Sequence, residues 1–137
     1  MALGVGLDLC EVARMERELA RADGGFRDEV FCPAEIAYCE SMHRPAMHYA
    51  ARFAAKEAVF KALCAAGVPG ATWREIEVER GPSGEPRVAL HGSVGRAARE
   101  LGVSAVTVSL SHTGELAAAC AAVEWGSGPA KPARESG

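Results

Sequence analysis

The chain has no CxxC pair and an odd number of cysteines: Cys10, Cys32, Cys39, Cys64 and Cys120. That argues against a disulfide framework or a cysteine zinc site, and leaves the five thiols as small buried apolar residues. A basic excess is missing as well. The formal net charge of −3 is not that of a nucleic-acid binder. No apolar run reaches the ~18 residues needed to cross a bilayer. The opening MALGVGLDLC lacks a basic leader and is interrupted by Asp8, so a secretory signal is not expected. The expected location is cytoplasmic, with neither membrane nor nucleic acid as partner. His43 and His48 are five apart, ~140° around a helix, which is poor geometry for a shared metal. There is no GxSxG elbow, and Ser111 and His112, adjacent on a strand, would face opposite ways, which disfavours a serine hydrolase.

What is present starts with enough apolar residues, 49% of 137, for one domain with its own core. Residues 1–124 form that expected domain. Residues 125–137, GSGPAKPARESG-like in composition, are expected to be a disordered tail. No internal repeat interrupts the body of the chain.

The organising stretch is MHYAARFAAKEAVFKALCAA, residues 47–66, free of Gly and Pro and rich in Ala. It should be the longest helix. Ala51, Ala54, Ala55, Ala58, Ala62 and Ala65 share one arc, smooth enough to lie against a sheet. Phe53, Glu57, Phe60 and Lys61 share a second arc, with Arg52 and Lys56 along its flank. Taken alone, that arc reads as a solvated face with an i,i+4 pair worth a few tenths of a kcal/mol.

Around it, Ala2–Cys10 has the period of a strand, with Val5, Leu7 and Leu9 on one side and Gly4, Gly6 and Asp8 on the other. Asp8 among apolar neighbours is either a cap for the next helix or a ligand for a cation. A helix over Val12–Ala22 has Val12, Met15, Leu19 and Ala22 as its apolar stripe and ends at Gly24-Gly25. Arg14, Arg17 and Arg21 point away from that stripe as a basic ridge, or as a solvent face balanced by Glu11, Glu16 and Glu18. Pro33 opens a short helix over Ala34–Glu40. Thr72–Arg80 and Arg87–His91 form a hairpin, Ser93 caps a helix to Leu101, and Val103–Leu110 with Glu115–Glu124 forms a closing hairpin. The fold class is α+β, with a mostly antiparallel sheet on the long helix.

If the long helix crosses the first strand, Asp8 and Glu57 face each other and repel unless a cation joins them. Oxygen ligands without His or Cys point to Mg2+, with substrate phosphates completing its shell. Lys61, one turn beyond Glu57, would hold a phosphate oxygen, and His112 in its Ser/Thr-rich turn offers a further phosphate or hydroxyl contact. Together they describe phosphoryl-type transfer.

The blocks GVGLDLCEVARM (4–15), RFAAKEAVFKAL (52–63) and VSLSHTGELAAA (108–119) resemble the three motifs of holo-[acyl-carrier-protein] synthases, the small 4′-phosphopantetheinyl transferases. The resemblance implies that family's α+β fold and transfer of phosphopantetheine from coenzyme A to a serine of an apo acyl carrier protein. It places the metal carboxylates on Asp8 and Glu57 and the phosphate-binding lysine on Lys61. It implies that Arg52, Phe53 and His112 help hold coenzyme A, that the Gly84-Glu85-Pro86 turn approaches the adenine, and that Arg14, Arg17 and Arg21 dock an acidic carrier helix. Glu85 departs from the basic or polar residue the family often has there. A homotrimer with clefts between subunits is implied too. The serine proton would pass to Glu57 or to a water held by Asp8. The competing expectation is a non-catalytic module that keeps the fold and binds carrier proteins through the arginine ridge.

Overall fold

The computed structural model describes residues 1–21 and 23–126. In chain order they form β1 (Ala2–Glu11), α1 (Val12–Leu19), α2 (Gly25–Val30), α3 (Pro33–Glu40) and α4 (Pro45–Ala66). A single 3-10 turn (Trp73–Glu75) then precedes β2 (Ile76–Arg80), β3 (Pro86–Leu90), α5 (Gly92–Glu100), β4 (Val103–His112) and β5 (Leu116–Trp125). The fold is α+β. One antiparallel sheet has the order β1-β5-β4, and β2 and β3 pair separately, also antiparallel.

Helix α4 packs across β1 and β5 and organises the core. Pro45 at its first position has no N–H to leave unsatisfied. At the other end Gly67, at φ 105°, turns the chain, with its N–H donated to Cys64 O and that of Val68 to Leu63 O. Ala51, Ala54, Ala55, Ala58 and Ala62 are buried as the alanine arc predicts, whereas Ala65 at the sheet's edge is exposed.

Strand β1 meets this helix with its glycines. A Cβ on Gly6 would collide with Ala58 O, and one on Gly4 would lie 2.9 Å from Ala62 O, so backbone packs directly on backbone. The opposite side of the strand is consequently turned outward: Leu3, Val5, Leu7 and Leu9 are 57–69% exposed. A hydrophobic stripe on an edge strand is the reverse of the usual arrangement.

Several boundaries shift from expectation. Helix α1 stops at Leu19 with Ala20 as its cap, before Gly24-Gly25, and Ala22 of the expected stripe lies outside the described residues. The segment before β2 is a 3-10 turn because Glu75 bonds back to the Thr72 N–H. Ser93 lies inside α5 and bonds Glu75 instead of capping, His91 taking the cap position. Strand β5 runs to Trp125, one residue past the expected domain limit, and residues 127–137 of the expected tail lie outside the described part. Cys10, Cys32 and Cys39 are buried, but Cys64 and Cys120 are exposed, because each faces away from the layer that α4 and the sheet share.

Candidate active site

The antiparallel course of β1 along α4 decides where Asp8 goes. Gly4 lies at Ala62 and Gly6 at Ala58, so Asp8, next on that side, arrives beside the turn that holds Glu57. It does not cap α1, whose N-cap is Glu11 without a side-chain bond. Lys61 leans back toward the helix N-terminus, and its Nζ donates to Asp8 Oδ1 at 3.0 Å and to Leu7 O at 2.9 Å. Half-exposed, this pair is worth less than ~1 kcal/mol.

The ammonium pairs with Asp8 alone, leaving Glu57 as a second acid that feels both charges. Burial, and then the Asp8 charge, push Glu57 above the usual carboxylate range, while Lys61 and Arg14 pull it back. One turn earlier Phe53 is buried, its ring 5.0 Å from Trp73 and 6.1 Å from Phe26, with the Arg14 guanidinium 6.0 Å over it. A cavity of ≈310 Å³ lined by Glu57, Phe60, Ala71, Trp73 and Ile76 opens beside the acid.

Arg52 and Lys56 do not flank this cluster. Lys56 is wholly buried and pairs with Glu35 at 2.8 Å, donating also to Trp73 O and Ile76 O. Glu35 in turn accepts from the Cys32 and Val78 N–H groups, both at 2.7 Å. Nothing in the helical spacing marks this pair, since α3 supplies the partner through space.

Arg52 turns the other way. With His48, one turn before it, and with Tyr38 and Arg80, it lines a cavity of ≈190 Å³ that Gly84, Pro86, Leu110 and His112 complete. The arrangement joins four residues expected to hold coenzyme A: Arg52, Gly84, Pro86 and His112. Phe53 is not among them, lying with the acids instead. His112 is the last residue of β4 rather than part of the turn, its ring 5.5 Å from His48. Glu85 folds onto its own hairpin, accepting from Ser83 N at 2.9 Å and from Arg87 Nε at 3.0 Å. Its own backbone N–H first, and then these bonds, hold its carboxyl below the usual range, and it is not among the residues lining the cavity.

Arg14, Arg17 and Arg21 are all exposed, although the helix carries only the first two. Arg14 leans over Phe53, Arg17 is exposed on α1, and Arg21 lies past the helix end, near Glu18 and Asp23 at 3.5 and 3.7 Å. The missed residues are Tyr38, His48, Arg80 and Trp73. Only His48 had a signal, its i,i+4 spacing to Arg52.

Among the described residues no group of three or more His, Cys, Asp or Glu could hold a metal unaided. Asp8 and Glu57 nonetheless suit Mg2+. Two under-neutralised oxygen donors are what a hard cation uses when phosphates and water fill its remaining positions.

A family model described as the 4′-phosphopantetheinyl transferase superfamily matches residues 4–121. The chain is 50% identical over 122 residues to the holo-[acyl-carrier-protein] synthase of Moorella thermoacetica, covering 89% of this chain and 94% of that one. It is 49% identical over 134 residues to that of Anaeromyxobacter dehalogenans strain 2CP-C, covering 94% and 100%. Its fold overlays the Chronobacterium ammoniagenes ACPS-CoA complex with a TM-score of 0.81 at 31% identity, covering 92% and 99%. On that family match and those relatives, the chain belongs to the 4′-phosphopantetheinyl transferase superfamily.

Proposed function

We propose that this protein is a holo-[acyl-carrier-protein] synthase that moves 4′-phosphopantetheine from coenzyme A to a serine hydroxyl of an apo acyl carrier protein, releasing adenosine 3′,5′-bisphosphate. The observation that carries the reading is the Asp8–Glu57–Lys61 cluster, two acids whose charges repel, with one ammonium paired to Asp8, where β1 crosses α4. Asp8 and Glu57 would hold Mg2+, which when bound neutralises pyrophosphate charge and polarises the phosphorus. Lys61 leaves Asp8 to hold a phosphate oxygen. The serine Oγ attacks the phosphorus that bears the pantetheine, the bond to the adenosine-side phosphate oxygen breaks, and that oxygen leaves on the bisphosphate. The serine proton passes to Glu57 or to a water on Asp8, both beside the attacking oxygen. The ≈310 Å³ cavity lined by Phe60, Trp73 and Ile76 suits the pantetheine arm. Arg52, His112 and the Gly84-Pro86 turn would hold the nucleotide.

Arg52 and Glu57 are five residues apart on α4, ~140° around it, so one chain presents the nucleotide cavity and the acids on different sides. That separation supports a homotrimer in which each cleft draws on two subunits. The exposed Leu3, Val5, Leu7 and Leu9 stripe supplies an apolar face for it. Arg14 and Arg17 beside the acids would meet an acidic helix of the carrier, with Arg21 at the periphery. No described helix is long and apolar enough to cross a membrane, and a cytoplasmic location suits the substrates.

The test is incubation with coenzyme A, Mg2+ and a panel of apo carrier proteins, fatty-acid and polyketide, followed by mass spectrometry of each carrier. One carrier should gain the phosphopantetheine mass. No gain on any carrier, with folded protein, would sink the assignment.

A further inference from the structure

Lys61 sits where a metal and a phosphate make opposite demands on it. Its Nζ donates to Asp8 Oδ1 at 3.0 Å and to Leu7 O at 2.9 Å, so an oxygen suited to a divalent ion already carries a cation. Glu57 forms no ion pair among the described residues. An ammonium has three N–H donors, and two of those on Lys61 are committed to β1. The third can engage a phosphate oxygen before Asp8 is released. The lysine side chain is 51% exposed, and an ion pair this open is weak enough to exchange.

Charge decides what can displace it. With both acids ionised, Asp8, Glu57 and Lys61 together carry one net negative charge. A divalent ion alone would make the cluster net positive, and it would repel the ammonium bonded to the same carboxylate. Approach through Asp8 Oδ2 does not avoid this, because both cations would still share one carboxylate. The pyrophosphate of a donor alone would add two negative charges beside two acids. Ion and pyrophosphate together return the cluster to the net charge it began with. Arg14 is the other cation that acts on Glu57, yet it leans over Phe53 and forms no ion pair with Asp8. Lys61 therefore differs from Arg14 in contact, not only in field.

We propose that Lys61 gates the metal site: it competes with a divalent ion for Asp8 and yields that carboxylate when a donor phosphate draws it away. Ion and coenzyme A then bind cooperatively, each raising the affinity of the other by the same factor. The proposal rests on the transferase reading for the identity of the donor, and adds how the site is loaded. The experiment titrates MnCl2, a hard divalent probe, into the whole chain and reads binding by water-proton relaxation. It is run with and without saturating coenzyme A, with coenzyme A alone as blank and with no carrier present, so nothing turns over. Lys61→Met should bind Mn2+ about fivefold more tightly than wild type when coenzyme A is absent. The gain in Mn2+ affinity that coenzyme A brings should be smaller in that variant by about the same factor. Arg14→Met removes a nearby cation without freeing Asp8, and should change Mn2+ binding by less than about twofold. Lys61→Met that binds Mn2+ no more tightly than wild type, or a gain that Arg14→Met matches, would overturn the gate. Lys61→Gln at the same exposed position decides the matter should Lys61→Met fold poorly. The titrations without coenzyme A test the gate alone. Wild type that follows the gate there and binds no coenzyme A would refute the transferase reading and leave the competition for Asp8 standing.

Discussion

Lys56 and Lys61 lie on the same helix, each touching a carboxylate at about 3 Å, yet they do opposite things. Lys56 and Glu35 are fully buried and every strong donor and acceptor is engaged, tying α3, α4 and the start of β2 into one unit. Lys61 and Asp8 are open to solvent, with Glu57 close by as a second, unneutralised acid. Burial and partner count, not the kind of contact, separate an anchor from a poised site. A buried pair cannot exchange partners without stranding a charge; an exposed one can release its lysine to a phosphate.

The largest test of this contrast is Lys56→Met, which strands Glu35 and should lower stability by about 3–5 kcal/mol in urea melts. Asp8→Asn or Glu57→Gln should leave the melt nearly unchanged and reduce transfer at least about a hundredfold, ~3 kcal/mol in barrier, in a fixed-time carrier assay. If Lys56→Met proves harmless to folding, or the acid variants unfold the chain, the distinction fails. Lys61→Ala should cost about tenfold in kcat/KM for coenzyme A with little stability change. The smallest effect concerns pH in metal-free protein. Because Glu57 is raised above its ordinary 4.5 in the fold, the folded state binds the extra proton. Stability should therefore decline slightly as pH climbs through the window just above 4.5, and Glu57→Gln should remove that slope, as read from melts across pH.

The long helix was legible because alanine spacing marks a face that only close packing can use, and Asp8 and Glu57 could be paired by supposing one crossing. The strand's inner side was not legible: period-2 alternation separates two faces without saying which is inside, and here Gly4 and Gly6 take the interior because α4 comes too near for side chains. Helical spacing alone puts Lys56 on a polar flank, because its partner is 21 residues away on another helix. Tyr38 and Arg80 left no trace for the same reason. The arginine ridge assumed a helix reaching Ala22, and it stops at Leu19.

Strand β1 gives its inner side to glycine, so its only sizeable apolar side chains point outward along the unpaired border of the sheet. A lone copy thus carries a greasy, hydrogen-bond-hungry margin, the feature most prone to indiscriminate sticking. In the proposed homotrimer that margin would be covered by neighbours, and dilution, which ordinarily protects proteins from clumping, would lay it bare.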